Sequence, residues 1–156
     1  MEDLKEYFDI SVSYKEYYIM NNDSISEDVS LEKLFYNVDY DADIILRALN
    51  ISPSKCGYRY WKDAIFIYIC SGKSHLSICN EIYPAIAQKY GKTRMSVERA
   101  MRLCFENTMY YVSKKNANFI GDYLKNSLLY PHSSEILIKL VELIVSKDFQ
   151  KNKFKI

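Results

Sequence analysis

A chain of 156 residues with 49% hydrophobic content is long enough for one real core, burying about 68–70% of its unfolded surface. Only four glycines and three prolines favour helices over a turn-rich β fold, and no apolar run approaches the roughly 18 residues of a membrane helix. The net charge of +1 hides an asymmetry: residues 1–45 carry twelve acids and three lysines (−9), and residues 46–156 the other eight acids and eighteen bases (+10). A basic region suits a polyanion, because neutralising phosphates releases condensed counterions. The acidic start MEDLKEYFDI does not resemble a secretory leader, so the expected location is cytoplasmic.

In chain order, residues 2–9 fit a short helix, and 10–20 fit either strand or helix. Residues 21–24 and 26–28 read as loop, and Ser30 as the cap of a helix through 31–36. Asp41 is placed to cap a helix to about residue 49, stopped by Asn50 and Pro53. A helix over about 58–70 stops at Gly72. Ser77 is the natural N-cap of the next helix, in which Pro84 should produce a kink. Gly91-Lys92-Thr93 is a short polar turn, followed by a helix that Lys114-Lys115-Asn116 ends. One more helix fits 117–128, and Ser133 with Glu135 starts a last one to about 147. The charged stretch 147–153 reads as a fraying tail.

The stretch 77–111 is the most informative. Two helices flank a tight turn, and three of the five arginines (94, 99 and 102) fall within nine positions of the second helix. That is the layout of a helix-turn-helix, whose second helix enters the major groove of duplex DNA. At helical periodicity Arg94, Met95, Glu98, Arg99 and Arg102 share one side. Val97, Ala100, Met101, Cys104 and Thr108 share the other, mostly apolar side. Arginine's planar fork matches guanine O6 and N7, and a glutamate can accept from a cytosine amino group. A plainer reading stays open at this point. The same face suits a solvated helix with Glu98 paired to Arg94 or Arg102.

The run LSICNEIYPAIAQKYGKTRMSVERAMR resembles the C-terminal effector domain of the master sporulation response regulator, stage zero sporulation protein A. The matching residues include Ser77-Ile78, Tyr83-Pro84, Ile86-Ala87, Lys89, Thr93, Val97-Glu98-Arg99-Ala100, Arg102 and Glu106. Upstream, Gly57-Tyr58, Tyr60 and Ala64-Ile65 match a GY-x-Y-x-x-x-AI segment; downstream, Pro131 and Ser134-Glu135 match the start of the last helix. The resemblance spans about residues 39–145 and implies an all-α domain that binds boxes of the TGTCGAA type. It implies base contacts for Glu98 and Arg99, with Arg102 near a base or the backbone. Two positions depart from the family: Ser96 and Leu103 replace its arginine and histidine, and an arginine stands at Arg94 instead. A receiver domain takes on the order of 100 residues. It does not fit the 38 residues ahead of the matched region, so no phosphorylation switch is expected.

The expectation is therefore an all-α, sequence-specific DNA-binding regulator. The expected interface is Arg94, Ser96, Glu98, Arg99 and Arg102 on the reading helix, with Lys89, Lys92 and Thr93 holding the backbone around the turn. For these last three the plainer alternative is an ordinary polar turn. The competing class is an interaction protein that kept the fold and acts on a partner, such as a full-length sporulation regulator. Further partner expectations are self-association on tandem sites and a protein contact through residues 1–38. That segment is acidic but rich in aromatics, which suits docking on the domain, away from the reading helix, better than a free tail. The scatter of Cys56, Cys70, Cys79, Cys104, His75 and His132 argues against a metal site, and buried free thiols are expected. No phosphate loop, H-E-x-x-H or nucleophile elbow points to a cofactor or to catalysis.

Overall fold

Helix α1 (Leu31–Ala48) fills in one piece the stretch where the sequence suggests two helices. Val38, Ala42, Ile45, Leu46 and Leu49 form a single buried stripe at helical spacing, and no glycine or proline interrupts it. Asp41 therefore lies in mid-helix, fully buried, and does not cap anything. The helix does end at Asn50, which adopts φ 62°. Its N–H bonds the carbonyl of Arg47 at 2.9 Å, and that of Ile51 bonds Leu46 at 3.0 Å. This is a Schellman ending, with asparagine in the left-handed position.

The computed structural model describes residues 31–71, 76–106 and 132–155, and all of its regular elements there are helical. The expected helices at 2–9 and 117–128, the Ser30 cap, the stop at Gly72, the break at 114–116 and Thr108 lie outside the described residues. So do residues 1–30 of the acidic extension; residues 31–38 belong to α1.

Helix α2 (Cys56–Ser71) is apolar on nearly every side, with Tyr58, Trp61, Ala64, Ile65, Ile67 and Ile69 all buried. A helix with so narrow a wet face, Arg59 with Lys62 and Asp63, belongs at the centre. Of the thiols expected to be buried, Cys104 is, whereas Cys56 at the start of α2 and Cys79 are exposed. It touches α1, α3 (Tyr83–Tyr90), α4 (Arg94–Glu106) and α5 (Ser133–Val145).

A π-helical turn (Ile78–Ile82) precedes α3. The Ser77 hydroxyl accepts from the Asn80 N–H at 3.2 Å, while the Glu81 carboxylate accepts from the Ser77 N–H at 2.9 Å. Each side chain thus satisfies a backbone donor at the helix start. The wide turn also accommodates Pro84. The Tyr83 N–H reaches Ile78, and Pro84 sits in the first turn of the following α-helix, where its missing N–H costs little.

The C-terminal end departs from the sequence expectation. Residues 147–153 do not fray: α6 (Lys147–Asn152) and a 3₁₀ turn (Lys153–Lys155) fold back on the domain. Ser146 breaks α5 and caps α6, accepting from the Phe149 N–H at 3.2 Å. Phe149 is fully buried. The ammonium of Lys153 lies 3.1 Å from Asp41 Oδ1, and Gln150 Nε2 donates to Asp41 Oδ2 at 2.9 Å. These contacts clamp the C-terminal turn to the middle of α1.

Candidate nucleic-acid interface

Helix α3 ends where the sequence places the turn. Gly91 takes φ 63° and ψ 38°, and the Lys92 N–H bonds the carbonyl of Ala87 at 2.9 Å. Glycine suits this left-handed step because it has no Cβ to clash. Two residues later Thr93 opens α4: its hydroxyl accepts from the Ser96 N–H at 3.1 Å. The helix-turn-helix is therefore made by one left-handed glycine and one threonine cap.

The inner face of α4 is Val97, Met101, Cys104 and Phe105, all buried, with Ala100 partly so. Four of these five follow the periodicity of the sequence; Phe105 joins them. Helix α2 seats this face. The Trp61 indole N–H donates to the carbonyl of Met101 at 2.9 Å, and its ring meets Phe105 edge-on at 4.9 Å. Gly57 lets the two helices touch, since a Cβ there would stand 2.4 Å from both Ala100 O and Cys104 Sγ. Sequence reasoning did not single out Gly57 or Trp61 as supports of the site. The GY-x-Y segment was their signal.

The outer face carries the expected polar set. Arg94, Ser96, Arg99 and Arg102 are exposed, and Glu98 is half-buried. Arg102 lies between two carboxylates, 3.0 Å from Glu98 and 3.0 Å from Glu106. The plain ion-pair reading thus holds for Glu98 with Arg102. Arg94 and Arg99 make no ion pair among the described residues, and both guanidiniums are free to meet a ligand. Exposed Met95 and Leu103 flank Arg99 on the same face.

The turn contributes unequally. Lys92 is exposed. Lys89 instead turns back to α2, with its ammonium 3.0 Å from Asp63. The Tyr90 hydroxyl donates to the other oxygen of Asp63 at 2.5 Å, and Arg59 and Lys89 lie 5.7 and 5.2 Å from the Tyr90 ring centroid. Burial, then the bond to Asp63, holds the Tyr90 phenol above its ordinary pKa, so it remains a donor. Exposed pairs such as Lys89–Asp63 contribute only about 0–1 kcal/mol, so the lysine can exchange partners cheaply.

An all-α domain that offers an arginine-bearing second helix beyond a tight turn has the architecture of a helix-turn-helix DNA-binding domain. The family model "Sporulation initiation factor Spo0A C terminal" matches residues 43–144, and the chain belongs to that family of DNA-binding sporulation regulators. No solved structure matches the chain. No helix among the described residues is long and apolar enough to cross a membrane.

Proposed function

We propose that this protein binds duplex DNA sequence-specifically, with α4 in the major groove, and regulates transcription. The observation that carries the reading is Arg99: an exposed arginine without an ion pair among the described residues, at the centre of the outer face of a helix whose inner face is fixed by Trp61 and Gly57. An unpaired fork on a fixed helix suits bidentate recognition of guanine. Glu98 accepts from cytosine or orients Arg102, and Arg94 and Arg102 contact bases or phosphates. Ser96 lies at the DNA-facing start of the helix. Lys92, Thr93 and Lys89 hold the backbone, Thr93 with the proton of its capping hydroxyl and Lys89 by leaving Asp63.

Binding should weaken with salt, with a log–log slope of several units, while one sequence stays preferred. On that sequence Arg99→Ala should cost about 1–3 kcal/mol and flatten discrimination at one base position. Lys92→Ala should weaken strong and weak duplexes alike and lower the salt slope by about one. Fluorescence anisotropy with duplexes selected from a randomised pool checks both. Unchanged specificity in a folded Arg99→Ala protein rejects the base-reading assignment. The competing reading is a partner-binding module, favoured by Ser96, by exposed Leu103 and by the pairing of Arg102 with two glutamates. Failure to select any duplex would favour it.

A further inference from the structure

Met95 belongs neither to the buried face of α4 nor to its polar set, and its position is unusual. It is 80% exposed, the highest value among the exposed large hydrophobic residues described. Scattered exposed apolar side chains are common on any surface. Met95 differs in where it sits. It is the second residue of α4, on the half of a recognition helix that approaches base edges. It lines one shallow depression with Ser96, Glu98, Arg99, Ala100, Arg102 and Leu103. Ala100 is half-buried against the core, and the other exposed side chains in the first half of that outer face are polar or charged, so the thioether is its exposed apolar probe.

The major groove has one apolar feature for such a probe, the C5-methyl group of thymine. Methionine suits this contact because it is unbranched and polarizable, and it adjusts its three torsions to an irregular surface. Arg99 lies one helical turn further along the same face, about 6 Å in rise. An arginine fork on guanine would therefore set Met95 over a base pair near the one that Arg99 reads. Leu103 lies about 12 Å beyond Met95, toward the end of the helix that leaves the groove floor.

We propose that Met95 is a specificity-determining residue that recognises a thymine through its methyl group. The inference rests on the groove-binding reading of α4 and adds a base type to it.

Replacing thymine by deoxyuracil removes that methyl and leaves the hydrogen-bonding edge intact. The test uses the full chain and the duplex it selects from a randomised pool, resynthesised with each thymine in turn replaced by deoxyuracil. At one position the replacement should weaken binding about three- to fivefold, the effect of losing one buried methyl. Met95→Ala should bind the parent duplex about tenfold more weakly and respond equally to thymine and deoxyuracil at that position. Met95→Leu should keep part of the difference. Methyl sensitivity that persists undiminished in Met95→Ala overturns the proposal, as does a wild-type protein indifferent to every replacement. In both cases a preferred sequence with an Arg99-dependent base position would leave the groove-binding reading standing. A protein that selects no duplex fails at that earlier reading instead.

Discussion

Gly57→Ala should destabilise the protein by about 3 kcal/mol, the upper part of the range for overpacking a filled interface. Two effects compete at this position. Alanine is the better helix former by up to about 1 kcal/mol, so helix propensity alone would make the substitution stabilising. Packing opposes it. The new methyl would stand 2.4 Å from the Ala100 carbonyl oxygen and 2.4 Å from Cys104 Sγ. The first atom is helix backbone and cannot rotate away, so α2 and α4 must separate. Separation would also stretch the 2.9 Å bond from the Trp61 indole to the Met101 carbonyl. Because α4 is the proposed reading helix, the strain should reach function: the folded fraction should discriminate between duplexes less well than the parent. Cys104→Ala in the same chain removes one of the two clashes and should recover part of the loss. Urea denaturation gives the energies. A Gly57→Ala protein as stable as the parent, or more so, would mean that the close approach of α2 and α4 is not tight.

Much of this arrangement was legible because local chemistry and periodicity agreed. Gly91 and Ser77 each announce a helix end through a backbone requirement that few residues meet, and both do what the sequence suggests, while Thr93, read only as part of the polar turn, proves to cap α4. Val97, Met101 and Cys104 fall on one face by spacing alone, and burial follows the spacing. Other features depend on contacts across the chain. Asp41 looks like a cap because aspartate near a helix start usually is one. What decides its place is a lysine and a glutamine more than 100 residues away. Lys89 looks like a phosphate ligand on a polar turn, and only the packing of α3 on α2 reveals Asp63 beside it. Phe105 was missed because it extends the packed face of α4 beyond a strict stripe, to meet Trp61. Local signals thus located the turn and α4. A distant segment fixed the partner of Lys89, whereas local spacing holds the partners of Arg102, Glu98 and Glu106, which leave Arg99 unpaired among the described residues. Arg99 is more informative than Arg102 for that reason.

Lys153→Met should cost about 3–5 kcal/mol, because it takes the ammonium away from a fully buried carboxylate 3.1 Å distant. Asp41 is completely inaccessible, and the Lys153 side chain is 9% exposed. The stretch KDFQKNKF has the composition of a solvated tail, and charge alone would not hold it. Phe149 supplies the apolar anchor, and the lysine then reaches Asp41 beside it. The two ends of the pair should respond differently. Asp41→Ala leaves a flexible lysine near the surface, able to swing its ammonium toward water. Lys153→Met leaves an aspartate in mid-helix with nowhere to go, its 2.9 Å bond from Gln150 intact but the ammonium at 3.1 Å gone. The lysine substitution should therefore be the more damaging of the two. Removing both charges, with Asp41→Leu and Lys153→Met together, should restore at least half of the loss, since a matched apolar pair avoids the desolvation penalty. The pair sits outside the 43–144 family match, so it ties flanking segments to the domain and leaves α4 untouched. Duplex affinity of the folded protein should accordingly change less than twofold, within about 0.4 kcal/mol. Denaturation midpoints and anisotropy titrations on the three variants check this. A Lys153→Met protein within 1 kcal/mol of the parent, or a double variant no better than the single, would show that the C-terminal turn is held by Phe149 alone.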